Sequence, residues 1–371
     1  MKFVSLSYVR SNDFHDPASW LERIKPYGKV LEALGKKHTV ISIEQINYEG
    51  ALQSNGVEYQ FLLAKNRKIP SSLHRKVKKL NPDVIIVHGL SFPIQVIQLR
   101  KSLGKNVIIL AQYHADKIPV GWRRWAQKIA DRGISGYLFS STQMAREWVD
   151  KKIISGKEKI KEVLVGASTF QQIDKNLATG ITNSKGNPVF LFVGRVDENK
   201  DPFTLIRGFS TFASGHPSAS LYVILQNPER MGELEEIIKE YSAEKNIFLV
   251  GKVPHLEMQW WYNSADFIIS TSYAEAYGMA VAEAMSCACY PIITNIPSFR
   301  KITDNGNCGI LFEPGDVEQL AASLERAAQL DLEVERKKVL TFYNTRLSAE
   351  AIAEQIYEAA TSLNLSLRTA E

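Results

Sequence analysis

A chain of 371 residues, 45% hydrophobic and 23% charged, is too long for one ordinary core and too apolar for wholesale disorder, and it suggests two domains. Its net charge of +5 conceals a split: residues 1–186 hold 30 basic and 15 acidic side chains, +15, which leaves the remainder at −10, so the first half is expected to face something anionic. No apolar run approaches the roughly 18 residues of a membrane span, residues 1–10 are too brief for an export signal, and Cys287, Cys289 and Cys308 are too few for a disulfide framework.

The predicted elements alternate strand and helix almost throughout. Strands are expected at 3–9, 39–43, 84–88, 106–112, 136–139 and 162–165. Between them Val30-Leu31-Leu34, Leu73-Val77-Leu80 and Val96-Ile97-Leu99-Leu103 have helical spacing. Short apolar runs bounded by turns and separated by amphipathic helices predict a parallel sheet covered on both faces. Residues 171–187 turn polar and read as a linker. Strands resume at 189–193, 221–225, 247–250, 267–270, 290–294 and 309–312, with helices at 202–212, 229–241, 255–263, 278–287 and 316–329. A last helix, 348–363, has no strand after it. The fold class is α/β: two Rossmann-like doubly wound domains, 1–170 and 188–345, facing a central cleft.

Ligands of open α/β sheets bind beyond the carboxyl ends of strands, so the loops after the second-half strands carry the candidate chemistry. The first, Gly194-Arg195-Val196-Asp197-Glu198-Asn199-Lys200, runs from a buried strand to a helix expected at Pro202. Arg195 and Lys200 lie within loop reach of that helix's amino terminus, where peptide N–H groups favour anions, so the two cations could hold a diphosphate without metal. Two solvated surface cations are the plainer alternative. The second loop, Glu275-Ala276-Tyr277-Gly278-Met279-Ala280-Val281-Ala282-Glu283, sets one carboxylate before a helix and one inside it. Such a pair can bracket a polyol by accepting hydrogen bonds from vicinal hydroxyls, and Gly278 lets a ligand approach the backbone. No Asp-x-Asp stands in a suitable loop, and Cys287-x-Cys289 has no further ligand at zinc spacing, so neither metal nor cofactor is expected.

This second stretch resembles the E-x7-E signature of the family 4 retaining glycosyltransferases (glycosyl transferases group 1), which have the GT-B fold. Residues 194–200 fall where that family holds the donor diphosphate, and residues 304–316 look like its closing segment. The resemblance implies transfer of a sugar from a nucleotide-sugar donor (UDP- or GDP-sugar) to a hydroxyl of a saccharide or lipid-linked acceptor, with retention and without metal. A nucleotide-sugar epimerase and a non-catalytic nucleotide-sugar-binding protein are the alternatives. By the same resemblance Arg195 and Lys200, beside Gly194, neutralise the diphosphate, and the backbone at Tyr277, Gly278 and Met279 meets phosphate. Glu283 would bind ribose, Glu275 the sugar hydroxyls, and Gly251-Lys252-Val253 the base. His114, ending a first-domain strand, would lie at the sugar. The first domain becomes the acceptor side, 188–345 the donor domain, and 346–371 the segment that crosses back. Residues 11–17 stand where the family commonly carries a Gly-Gly loop.

The basic first half has two notable helices. Helix 71–80 turns Arg75, Lys76, Lys78 and Lys79 away from Leu73, Val77 and Leu80. Helix 121–132 sets Trp122, Trp125 and Ile129 on one stripe beside Arg123, Arg124, Lys128 and Arg132. Such helices can lie on anionic lipid; a packed aromatic edge with solvated charges is the alternative. Nucleic acid is not the expected partner, because no binding motif accompanies the charge. With no export signal, a cytoplasmic chain with reduced thiols is expected, peripheral on the inner face of a membrane.

Overall fold

Apolar strand, turn and amphipathic helix repeat through both halves of the computed structural model, which describes residues 1–63, 71–114 and 116–368. The first unit is Met1–Ala167 together with the helix that begins at Ala349. Its elements run β1 (Lys2–Ser7), α1 (Pro17–Arg23), α2 (Lys25–Gly35), β2 (Thr39–Ile46), β3 (Gly50–Ser54), β4 (Val57–Leu63), α3 (Ser71–Lys79), β5 (Val84–His88), α4 (Pro93–Leu103), β6 (Ile108–Gln112), α5 (Trp122–Asp131), β7 (Gly136–Phe139), α6 (Thr142–Asp150) and β8 (Ile160–Glu162). The sheet order is β3-β4-β2-β1-β5-β6-β7-β8. Every pairing is parallel except β3 with β4. The central strands β5 and β6 are buried along their whole length, as expected where helices cover both faces. Val4, Leu6, Ile85, Val87 and Ile109 form their shared core, and each such side chain stabilises the fold by roughly 1.5–3 kcal/mol on burial.

The hairpin β3–β4 was not expected: β3 is mostly solvent-facing and shows no apolar period, although β4 turns Val57, Tyr59 and Phe61 inward. Its signal is the turn: Asn55 and Gly56 both have positive φ, 47° and 81°, the geometry that an Asn-Gly pair adopts between antiparallel strands.

The second unit, Ser168–Ser348, contains α7 (Lys175–Thr182), β9 (Val189–Gly194), α8 (Pro202–Gly215), β10 (Ser220–Leu225), α9 (Met231–Glu240), β11 (Ile247–Gly251), α10 (Met258–Ser264), β12 (Phe267–Ser270), α11 (Met279–Ser286), β13 (Tyr290–Thr294), α12 (Pro297–Ile302), β14 (Ile310–Phe312), α13 (Val317–Ala328) and α14 (Leu332–Phe342). Its sheet, β11-β10-β9-β12-β13-β14, is parallel throughout. In each sheet the strand order reverses at one point, between β1 and β5 in the first and between β9 and β12 in the second. Those are the switch points at which such sheets bind ligands.

The segment read as a linker, 171–187, is not free chain. It contains α7, capped by the Asp174 carboxylate accepting from Leu177 N–H at 2.8 Å. Lys175 pairs with buried Asp266, which also accepts from Val189 N–H at 3.0 Å. A two-turn helix that buries Ala178 alone leaves almost no apolar period to detect. Helix α14 escaped notice for the same reason, since it buries only Val339.

The three cysteines are buried free thiols, and burial pushes Cys287 up to about 12. The last helix, α15 (Ala349–Arg368), packs on α2 of the first unit through Ile352, Ile356 and Ala360. Tyr357 stacks on His38 at 4.7 Å, and Lys36–Glu350 and Lys37–Glu354 pair at 2.7 and 3.1 Å. Exposed pairs contribute little, so the apolar stripe carries this contact. Residues 369–371 of the expected returning segment lie outside the described residues. Among the described residues no helix is long and apolar enough to cross a membrane.

Candidate functional site

At the β9/β12 switch point the two expected loops are stitched together. Asn199 is the stitch: its carbonyl accepts from Tyr273 N–H at 2.8 Å, its side-chain oxygen from Ala274 N–H at 3.0 Å, and its amide donates to Ala274 O at 3.1 Å. Thr271 Oγ1 donates to Lys200 O at 2.6 Å. Held this way, Lys200 Nζ forms an ion pair with Glu275 Oε1, which also accepts from Ser272 Oγ at 2.9 Å. Both side chains are largely shielded, 21% and 16% exposed, where an ion pair is stronger than on open surface.

A small cavity adjoins this pair. Lys200, Glu275, Gly278, Met279 and Phe299 line it. Gly278 is the N-cap of α11 with φ 86°, and among the described residues no side chain caps that helix. A Cβ at Gly278 would stand 2.5 Å from the Phe299 ring, so both conformation and space demand glycine. The first amides of α11 are left with helix-dipole character and no side-chain acceptor.

Helix α8 differs, and this corrects the expectation that its terminus helps Arg195 and Lys200 to bind an anion. Asp201 caps it, accepting from Thr204 N–H at 3.2 Å and Thr204 Oγ1 at 2.6 Å. Its first turn already has a carboxylate. Arg195 also departs from the convergent picture: it pairs with Asp197 at 3.0 Å, is more than half exposed, and does not line the cavity. Gly194 ends β9 beside the Phe192 ring and Lys200.

Glu283 lies inside α11, 6% exposed. Its Oε1 is 2.9 Å from His255 Nε2 and its Oε2 accepts from Tyr262 OH at 2.9 Å. Each carboxylate oxygen retains a second lone pair for a ligand hydroxyl. His255 and Tyr262 were not expected. The available signal was position, since His255 lies four residues beyond Gly251. Gly251 has φ 81°, Lys252 is exposed and Val253 half-buried; these three do not line the cavity. Tyr277 is buried, its hydroxyl lacks a hydrogen-bond partner among the described residues, and burial pushes its pKa well above the usual phenol range.

In the first unit, His114 follows β6 at the β1/β5/β6 end of the sheet. Its Nε2 is 3.1 Å from His88 Nδ1, and His88 Nε2 is 2.9 Å from Ser5 Oγ. His114 N–H donates to Asp116 Oδ2 at 3.1 Å, and Asp116 Oδ1 accepts from Ser91 Oγ at 2.6 Å. Burial, reinforced by His114, pushes His88 down to about 3. His114 is itself solvent-exposed; partial desolvation by its neighbours lowers its pKa, with Asp116 opposing. The two imidazoles and a serine hydroxyl form one hydrogen-bonded chain, and its direction fixes which nitrogen of His114 donates. His88 lay in an expected strand and carried no separate signal. Among the described residues no group of three or more His, Cys, Asp or Glu side chains is placed to hold a metal ion.

Residues 174–363, just over half of the chain, match the model of the glycosyl transferases group 1. The chain belongs to this family. A curated relative, the D-inositol 3-phosphate glycosyltransferase of Corynebacterium jeikeium, is 23% identical over 174 residues, covering 45% of this chain and 42% of the relative. The chain spans under half the length of the first curated relatives it matches. Among solved structures, sucrose-phosphate synthase from Thermosynechococcus elongatus superposes with a TM-score of 0.69 at 18% identity, covering 100% of both chains. Anabaena HepE in complex with UDP and glucose gives 0.66 at 14% identity, covering 98% of this chain and 100% of that one. At those identities the likeness establishes fold, and the fold class is that of GT-B, two Rossmann-like parallel-sheet units.

Proposed function

We propose that the chain is a retaining glycosyltransferase that moves a sugar from a nucleoside-diphosphate donor, a UDP- or GDP-sugar, to a hydroxyl of a saccharide or lipid-linked acceptor without a metal ion. The observation that carries the reading is the Lys200–Glu275 pair beside the uncapped, glycine-started terminus of α11. Membership of the group 1 family supports it, and a similar fold, Anabaena HepE, has been solved with UDP and glucose.

In this reading the donor diphosphate takes Glu275's place on the Lys200 ammonium and accepts from the first amides of α11. Glu275, released, accepts from sugar hydroxyls. Glu283, aimed by Tyr262, accepts from the ribose. As the bond from the anomeric carbon to the diphosphate breaks, charge grows on the leaving oxygen, where Lys200 and the α11 terminus already supply a positive field. The acceptor oxygen bonds to the same face of the anomeric carbon and passes its proton to the leaving diphosphate. His114, held by His88, is suited to hydrogen bonding with a sugar hydroxyl. Arg195 would contribute from outside the cavity by turning from Asp197.

The test is a thermal-shift screen of nucleoside diphosphates and their sugars in EDTA, followed by transfer assays with the best donor. A ligand at about 100 times its Kd stabilises the native state by about 2.7 kcal/mol, which is readily seen. Binding and transfer in EDTA are expected. Failure of every nucleotide to raise the melting point, or transfer that appears only on adding Mg²⁺, would overturn the reading. Donor consumption without acceptor would mark an epimerase.

A further inference from the structure

One face of the first unit's sheet is covered by α3, α4 and α5 side by side, α3 packing on α4 and α4 on α5. These three helices contain nine basic residues and one acid, Asp131. That acid is buried and already engaged, by Lys159 at 3.2 Å and Tyr137 OH at 3.0 Å. Two of the cations, Arg100 and Arg124, spend their guanidinium groups on backbone carbonyls. The rest, including Arg75, Lys78 and Lys79 on α3 and Arg123 and Lys128 on α5, have no acidic partner among the described residues.

At one end of this layer the apolar stripe of α5 faces outward. Val120 is 78% exposed, Trp122 63% and Trp125 67%. The expected alternative, a packed tryptophan edge, is contradicted, because α5 seats itself through Ala126, Gln127, Ala130 and Asp131 instead. Small residues face the sheet and large ones face solvent, the reverse of an ordinary surface helix. Arg123 lies 5.8 Å from the Trp122 ring.

We infer that this face docks on an anionic lipid bilayer. Two indoles in the first turn of α5, with a valine two residues before the helix, can enter the headgroup boundary, where rings that are apolar in body and polar at one edge settle. The unpaired cations beside them meet anionic headgroups, each contributing near the surface. Indole rings could also stack on nucleic-acid bases, but an aliphatic Val120 at the most exposed position has no partner in such an interface. The inference goes beyond the transferase reading and does not depend on it.

The experiment is co-sedimentation of the full chain with vesicles of phosphatidylcholine alone or with about one-third phosphatidylglycerol, with single-stranded RNA as competitor. Partition into the anionic vesicles is expected to be at least about tenfold stronger and to fall as salt rises. Trp122→Ala/Trp125→Ala, at exposed positions, and Arg123→Glu/Lys128→Glu should each weaken it about tenfold or more with an unchanged melting point. Equal binding to neutral vesicles, undiminished binding by both double variants, or binding of RNA where anionic vesicles fail would overturn the inference.

Discussion

The two switch points solve opposite electrostatic problems. In the second unit, the β9/β12 end keeps full charges, Lys200 against Glu275, beside a small cavity. In the first unit, the β1/β5 end leads with neutral polar groups: Ser5, His88 and His114 form a chain in which burial holds His88 neutral, and one carboxylate, Asp116, accepts from His114 N–H at its outer end. A stored ion pair suits a ligand that brings its own charge, because one partner can be exchanged for it. A neutral chain suits hydroxyls, which need direction more than field. The same α/β architecture thus presents an ion-paired end and an end led by imidazole and hydroxyl groups, set by which residues terminate the strands.

The sharpest way to break that contrast is Lys200→Ala. It removes the cation that faces the cavity and should lower turnover about 100-fold, near 2.7 kcal/mol, with the melting point within a few degrees of wild type. A loss under tenfold would mean that the charged end does not do the binding. Gly278→Ala probes the same end through the backbone. With φ at 86° and the Phe299 ring in the way, a destabilisation of about 2 kcal/mol or more is expected by denaturant unfolding.

At the histidine end the probe is pH. His88 has its pKa depressed in the folded state, so the unfolded chain binds the extra proton; stability is full above the ordinary histidine pKa and is lost as pH falls towards 3. Between pH 7 and 5 this one group should cost about 2 kcal/mol. His74, buried against Tyr8 OH at 2.8 Å and pushed down to about 4, acts in the same direction. In His88→Asn the decline from pH 7 to 5 should flatten by that amount; an unchanged slope would remove His88 from the account. The smallest effect is expected from Arg195→Ala, about tenfold or less in turnover, since Arg195 sits outside the cavity with Asp197. A larger loss than that of Lys200→Ala would invert the assignment.

Most of the architecture was legible because buried parallel strands write themselves as apolar runs. Every second-unit strand fell within two residues of its expectation. Structure without an apolar period escaped, α7 burying only Ala178 and α14 only Val339, and so did two short elements that have one, β4 with Val57, Tyr59 and Phe61 inward and α12 with Phe299 and Ile302. The hairpin at Asn55-Gly56 had a turn signal that strand periodicity did not register. At the site, the loops that hold Lys200 and Glu275 were legible, but the ion pair between them was not, because it depends on β9 and β12 being neighbours in the sheet. The partners His255 and Tyr262 of Glu283 were not, because they come from a different loop and helix brought close only by the fold. Nor could sequence decide which way the tryptophans of α5 face: a stripe looks the same whether it meets a core or solvent.

The central claim is that a diphosphate is held by Lys200 and the open terminus of α11. Calorimetric titration of the stabilising nucleoside diphosphate into wild type, Arg195→Ala and Lys200→Ala in EDTA tests it directly. The account predicts metal-free binding that Lys200→Ala weakens about 100-fold and Arg195→Ala no more than about tenfold. Equal affinity for wild type and Lys200→Ala would contradict it.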